Sequence, residues 1–322
     1  MGDPLRELKQ WEAAGQDVLL VLAVERDGPT PGANGAKMLV AGRGRFSGTI
    51  GGGRLELYCQ ERALELLEQK RSGLERLELH PEGAGDLGMI CGGEVTVWFQ
   101  YLPGGRLPEE PGQGPAYLLL EQGQGQSRAL LCHREQLPAG VKLRGGMSFT
   151  REAGASRYVE RLEPPRQVYV FGAGHVAQAL APGLVALGFG CRVYDDRPDF
   201  ATAANFPPEA QVTLADLEHL EEACNQIGEE DFVCVMTHGH SHDYAVVRQV
   251  LGTKAAYIGV IGSSKKAAAT REHLEGEGFG PADIARLVTP IGLSIGAETP
   301  QEIAVSILAQ LVEQRASLRN GQ

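Results

Sequence analysis

A chain of 322 residues, 43% hydrophobic and 22% charged, can fill two cores at a prior of roughly 150 residues per domain. That excludes a disulfide-stapled mini-protein and a disordered tail, and no apolar run approaches the roughly 18 residues of a membrane span. The net charge of −11 falls as −3 on residues 1–163 (19 basic, 22 acidic) and −8 on residues 164–322 (11 basic, 19 acidic), so neither half carries the basic footprint of a nucleic-acid binder.

Met1-Gly2-Asp3-Pro4 has no basic n-region followed by an apolar run, so no signal peptide is expected and the chain reads as cytoplasmic. Residues 5–14 predict a short helix with Leu5, Leu8 and Trp11 on one face. The run Asp17–Val24 predicts a buried strand, Ala36–Ala41 a second and Phe46–Ile50 a third, ending in Gly51-Gly52-Gly53. Arg54–Gln69 predicts a helix from Leu57, Ala63, Leu64 and Leu67. Strands are expected at Arg76–His80 and Glu94–Tyr101, a loop at 102–115 and a few more strands within 116–160. The stiff run Glu163-Pro164-Pro165-Arg166 marks the boundary, giving an α+β domain at 1–163 and a second domain at 164–322.

Beyond it, strand and helix alternate. Strands are expected at Val168–Phe171, Cys191–Tyr194, Phe232–Met236 and Tyr257–Ile261, and helices at Val176–Leu187, Tyr244–Leu251 and Lys266–Glu275, with a last helix opening at Thr299-Pro300. This pattern predicts an α/β fold, a Rossmann-like doubly wound parallel sheet covered on both faces.

Gly172-Ala173-Gly174-His175-Val176-Ala177 follows a strand and opens a helix, as G-x-G-x-x-A. The first glycine suits a tight turn, the second a backbone approach to pyrophosphate, and Ala177 close helix–strand packing. Asp195, twenty-three residues after Gly172, stands where an acid meets a ribose hydroxyl. Asp195-Asp196, Thr237-His238 and Gly262-Ser263 are expected along the carboxyl edge of the sheet, where ligands bind, although such residues also suit ordinary turns. Lys265 and Lys266 either serve an anionic ligand or are solvated. His238, His240, His242 and Asp243 are close enough in sequence to hold a metal such as zinc; the alternative is a polar turn.

Residues 28–55 hold Lys37, Arg43, Arg45 and Arg54 and no acid. Within them Gly51-Gly52-Gly53-Arg54 runs into a helix, an arrangement that suits a phosphate; the alternative is a solvated glycine turn. Cys91-Gly92-Gly93 suits an accessible thiol beside a ligand, or else a buried, inert one. The six cysteines, at 59, 91, 132, 191, 224 and 234, are not closely paired and read as reduced thiols.

In this order the motifs resemble the XdhC/CoxI family, accessory proteins of xanthine dehydrogenase and related molybdenum hydroxylases. The resemblance is carried by Arg26–Gly32, Ala36–Val40, Gly48–Glu56, Cys91-Gly92-Gly93, Phe171–Ala177, Tyr257–Ser263, Pro290–Leu293 and Ile295–Ile307, whereas residues 102–160 match little. It implies a chaperone that binds and protects the molybdenum cofactor, supports its sulfuration with a cysteine desulfurase, and delivers it to an apo-hydroxylase. It implies cofactor contacts at Lys37, Gly51 to Arg54 and Cys91 to Gly93, with Cys91 meeting the molybdenum or its sulfur. The Rossmann part, through Gly172 to Val176, Asp195, Asp196, Thr237, His238, Gly262 and Ser263, is then left to NAD(P), another nucleotide, the cofactor or docking; a homodimer is a compatible assembly. The motif Thr237-His238-Gly239-His240-Ser241-His242-Asp243 adds His242 to the family's frame. Two other readings compete: an NAD(P)-dependent oxidoreductase, and a metal-dependent hydrolase built on residues 238–243.

Overall fold

The computed structural model describes residues 4–79, 93–110, 112, 116–123, 125–152, 154–162 and 164–320, apart from the side chains of 6, 43, 240, 241, 264, 319 and 320. The chain divides into two compact units, Met1–Pro164 and Pro165–Gln322.

The first unit opens with α1 (Pro4–Ala13), followed by β1 (Val18–Asp27), β2 (Lys37–Ala41), β3 (Arg45–Gly48), α2 (Gly53–Glu68), β4 (Gly73–Glu78) and β5 (Glu94–Leu102). These five strands form a sheet in the order β3-β2-β1-β5-β4, with antiparallel pairing throughout. The central strand β1 reads as an unbroken apolar run because both of its faces are covered. Leu19, Val21 and Ala23 pack on Leu55, Cys59, Ala63 and Leu66 of α2. Val18, Leu20, Leu22 and Val24 pack on Leu8 and Trp11 of α1 and on a second sheet.

That second sheet is made of β6 (Ala116–Gly123), β7 (Gln126–His133), β8 (Met147–Glu152) and β9 (Ala155–Leu162), in the order β7-β6-β9-β8. It supplies Leu118, Leu120, Ala129 and Tyr158 to the shared core.

A polar clasp joins the two sheets. Lys37 Nζ lies 2.6 Å from Glu160 Oε1, with side chains only 10% and 15% exposed, and the Tyr158 hydroxyl donates to Glu160 Oε2 at 3.0 Å. Removing one partner of a buried pair leaves the other charge uncompensated. Glu160→Ala is expected to cost the first unit about 2–4 kcal/mol in urea denaturation followed by tryptophan emission, and Glu160→Gln less. Both tryptophans, Trp11 and Trp98, are buried in this unit. An Ala variant as stable as wild type would show the clasp to be energetically neutral.

The second unit alternates β10 (Gln167–Phe171), α3 (His175–Ala186), β11 (Gly190–Asp195), β12 (Gln211–Leu214), α4 (Glu221–Gln226), β13 (Phe232–Val235), α5 (His240–Val250), β14 (Tyr257–Val260), α6 (Ser264–Gly276), α7 (Pro281–Ala285), β15 (Leu287–Val288) and α8 (Pro300–Asn320). The sheet is parallel in the order β12-β11-β10-β13-β14-β15, a doubly wound Rossmann arrangement.

Side chains alternate across this sheet. Val168, Val170, Val193, Phe232 and Cys234 pack towards α3 and α8, while Tyr169, Phe171, Tyr194, Val233 and Val235 pack towards α5. The α/β class is as expected from sequence. β12, α4, α7 and β15 were not foreseen, because they are short and partly polar: Gln211–Leu214 is mostly exposed, and Leu287–Val288 is only two residues long.

Candidate functional site

The connection order reverses at β10, whose neighbours are β11 and β13, so the carboxyl ends of these three strands meet at the topological switch point. β10 runs into Gly172-Ala173-Gly174, and α3 follows directly. The two glycines do different work. Gly172 has φ +110°, and a Cβ there would stand 2.2 Å from the Met236 carbonyl oxygen and 2.8 Å from the Thr237 nitrogen. It is therefore required by the close approach of the loop to the end of β13. A Cβ on Gly174 would meet nothing within 4 Å, so that stretch of backbone is open to a ligand. His175 is exposed beside it and Val176 is half-buried.

Asp195, expected to meet a ribose hydroxyl, has its carboxylate engaged within the protein. Asp195 is fully buried; Oδ2 accepts from the Ala173 N–H at 2.6 Å and from Arg197 Nη2 at 2.8 Å, and Oδ1 from Arg197 Nε at 2.8 Å and the Arg197 N–H at 2.9 Å. Burial would raise its pKa, but the Arg197 and backbone hydrogen bonds prevail and hold it at about 2. Asp195 thus ties the glycine loop to the end of β11. The adjacent Asp196 is the carboxylate that faces the switch point, 29% exposed. Arg197, which also lies over the Phe200 ring at 3.9 Å, was missed from sequence because nothing local marks it as the partner of its near neighbour Asp195.

Asp243, expected as a metal ligand, is likewise engaged elsewhere. It is 3% exposed; Oδ1 accepts from the Thr237 N–H at 2.9 Å and the Thr237 hydroxyl at 2.6 Å, and Oδ2 pairs with Lys266. Thr237 and Asp243 therefore fasten the end of β13 to α5, and Lys266 fastens α6 to them. Lys266 is paired with Asp243 and, 16% exposed, also borders the cavity between α5 and α6. His238 and His242 instead face Asp196, with Nδ1 atoms 3.7 and 4.0 Å from its two carboxylate oxygens. The side chain of His240 lies outside the described residues.

Ser263 caps α6 by accepting the Lys266 N–H at 3.3 Å, and an added Cβ on Gly262 would press on the Lys266 stem. Ser263 also borders a cavity of about 780 Å³ between α5 and α6, with Tyr244, Arg248, Lys265 and Thr270 among its walls. Arg248 and Tyr244 carried no sequence signal, since each looks like an ordinary helix residue.

Among the described side chains of the first unit the basic stretch does not converge, and that of Arg43 lies outside them. Lys37 is spent on Glu160, and Arg45 stacks 4.4 Å above the Trp11 ring. Gly53 and Arg54 are exposed at the start of α2, and an added Cβ on Gly52 or Gly53 would enter open space. Gly51 is held close to Pro31, whose carbonyl oxygen would lie 2.6 Å from an added Cβ. The α2 N-terminus carries its own anion: Glu56 Oε2 accepts from the Gly52 N–H at 3.0 Å and from the Thr49 hydroxyl. A phosphate arriving at this loop would compete with that carboxylate.

Cys91 and Gly92 lie outside the described residues. Gly93 packs against the turn that follows β1, where an added Cβ would stand 2.8 Å from the Asp27 carbonyl oxygen. Burial pushes the Cys59, Cys191 and Cys234 thiols up, that of Cys191 to about 12, so these are inert core residues. None of the described helices is long and apolar enough to cross a membrane.

Two family models match the chain: the XdhC and CoxI family over residues 11–78, and the XdhC Rossmann domain over residues 168–311. The chain belongs to the XdhC and CoxI family.

Among curated relatives of this XdhC-family chain, the molybdenum cofactor insertion chaperone PaoD of Escherichia coli (strain K12) is 24% identical over 312 residues, 94% of this chain and 85% of PaoD. A Bacillus subtilis (strain 168) protein, named as a probable component of xanthine dehydrogenase, is 32% identical over 158 residues, 49% of this chain and 46% of the relative. The chain spans less than half the length of two of its curated relatives, 43% and 46%. A crystal structure described as a xanthine dehydrogenase from Bacillus halodurans shares the fold, with TM-score 0.76, 22% identity and coverage of 97% of this chain and 96% of the other.

Proposed function

We propose that this chain binds the molybdenum cofactor as cargo and hands it to a xanthine-dehydrogenase-type apo-hydroxylase. The observation that carries this reading is the alignment with PaoD along nearly the whole chain, since a match at that length covers both units. The chain acts as a chaperone, holding a labile pterin rather than turning over a substrate. Sulfuration of the cargo with a cysteine desulfurase belongs to the same proposal.

The geometry supports it in two places. Gly52-Gly53-Arg54 offers exposed backbone and a cation at the start of α2, suited to the pterin's phosphate once Glu56 yields. The open backbone at Gly174 heads α3 in the second unit and suits an anion in the same way. The Cys91 thiol is assigned to the molybdenum or its sulfur ligand. A nicotinamide oxidoreductase is less well supported, because Asp195, the residue that would hold the ribose, has its oxygens committed to Ala173 and Arg197.

The test is anaerobic titration of the purified chain with cofactor released from a donor enzyme. Retention on gel filtration and the fluorescence of the oxidised pterin are read, with NAD(P)H run in parallel. Near-stoichiometric retention is expected, weakened about tenfold by Arg54→Ala and by Cys91→Ala, the loss of one charge-assisted contact each. Cofactor passing through unretained while the dinucleotide stays bound would overturn the proposal.

A further inference from the structure

We infer that Asp196, His238 and His242 form a binding site for a first-row divalent transition-metal ion of the zinc type. One oxygen or nitrogen from each of the three side chains can be chosen so that all lie within 4.8 Å of one another. The two imidazole Nδ1 atoms stand 3.7 and 4.0 Å from the two oxygens of Asp196. These separations are too long for hydrogen bonds, which close at about 3 Å. They are close to those of donors sharing one ion: metal–ligand bonds of about 2.1 Å at tetrahedral angles set donors roughly 3.4 Å apart. Side-chain movements of about an ångström would complete the site.

Three further observations point the same way. Asp196 Oδ1 and His242 Nδ1 are shielded from solvent, yet neither has a hydrogen-bond partner among the described residues. Two shielded, unsatisfied polar atoms in one side-chain cluster call for an explanation, and a cation beside them supplies one. The His238 and His242 rings lie with centroids 4.5 Å apart, so the two imidazoles reach the same space beside Asp196. The nearby cations are already committed, Arg197 to Asp195 and Lys266 to Asp243, so Asp196 is left to balance an incoming positive charge.

Imidazole nitrogen with carboxylate oxygen selects zinc, iron(II), cobalt or nickel over calcium. With three protein ligands the ion keeps open positions, as catalytic rather than structural zinc sites do. The site lies at the carboxyl ends of β11 and β13, on either side of the glycine loop, where α3 and α5 both begin. Those helix N-termini favour an anionic oxygen, such as a phosphate or carboxylate, as the remaining ligand. Asp196 is the member that residue spacing could not supply. It lies forty-two positions before His238 in the chain, and only the parallel sheet brings the two together. The inference does not depend on the cofactor proposal, and either can fail alone.

The experiment uses the full chain prepared without a polyhistidine tag, stripped with chelator and titrated with cobalt(II) alone. Cobalt d–d absorption and the thermal midpoint are both read. The expected result is one equivalent bound, visible d–d bands without a thiolate charge-transfer band, and a midpoint that rises with cobalt. Asp196→Asn, His238→Ala and His242→Ala should each weaken binding by at least about tenfold, the smallest loss typical of outer-shell changes at metal sites. Their metal-free melting should stay near that of the metal-free wild type. His219→Ala, at an exposed histidine paired with Asp216, should leave binding unchanged. Absence of d–d bands in excess cobalt, a thiolate band, or equal binding by Asp196→Asn and wild type would overturn the assignment.

Discussion

Gly172→Ala is expected to destabilise residues 165–322 strongly while leaving the first unit unchanged. The added methyl would stand 2.2 Å from a backbone oxygen of Met236, in a left-handed conformation of φ +110°. Neither neighbour can yield cheaply: Met236 is locked to β10 through its N–H to the Phe171 carbonyl at 2.8 Å, and the Gly172 N–H is held by the Tyr194 carbonyl at 2.7 Å. Relieving the clash means separating the ends of β10, β11 and β13, the middle of the sheet. A cost of roughly 3–5 kcal/mol is expected, a large fraction of a domain's stability and about 10 °C or more in melting midpoint. Trp11 and Trp98 lie in the first unit, so their emission should report an unchanged transition while far-ultraviolet circular dichroism loses helix at a lower temperature. Gly174→Ala, two positions away, should change stability by no more than about 0.5 kcal/mol, because its methyl enters open space. Equal melting of the two variants would contradict the separate roles given to these glycines.

Asp195→Ala is expected to be nearly as damaging, for an electrostatic reason. The substitution leaves the Ala173 N–H without its acceptor and the Arg197 guanidinium without the carboxylate it hydrogen-bonds. Breaking a buried pair from one side costs about 3–5 kcal/mol, more than the pair itself contributes. Asp195→Asn should cost less, since an amide oxygen can still accept from Ala173. The double variant Asp195→Ala/Arg197→Ala should cost clearly less than the two single losses added, by about 1–3 kcal/mol of coupling in urea denaturation. Strict additivity would mean that Arg197 and Asp195 do not act as a unit.

The polar turn after β13 divides its residues between two tasks. From spacing alone, His238, His240, His242 and Asp243 look like a single ligand set. The fold separates them. Asp243, in the first turn of α5, points back to Thr237 and Lys266 as a structural fastener, whereas His242 and His238 face Asp196. The basic stretch before α2 divides in a similar way. Its excess positive charge is real, but Lys37 serves a sheet-to-sheet clasp and Arg45 covers a tryptophan, while Arg54 stands at the start of α2 beside the glycine loop.

Features that depend on neighbours along the chain were legible in the order of residues. Apolar runs at Val18–Val24 and Val168–Phe171, the glycine loop before α3 and the proline at the start of α8 are local signals, set by side-chain period and backbone sterics. They sufficed for the α/β class, the parallel second sheet and the family. Which polar residues are free to act was settled by the fold. Asp195 and Asp196 are adjacent and chemically identical. One turns inward to accept from Ala173 and Arg197, and the other turns outward to two histidines from a different strand end. That choice is made by the two-residue alternation of a strand end and by the order of strands in the sheet, which places β13 beyond β10 from β11. Spacing along the chain carries no information about either.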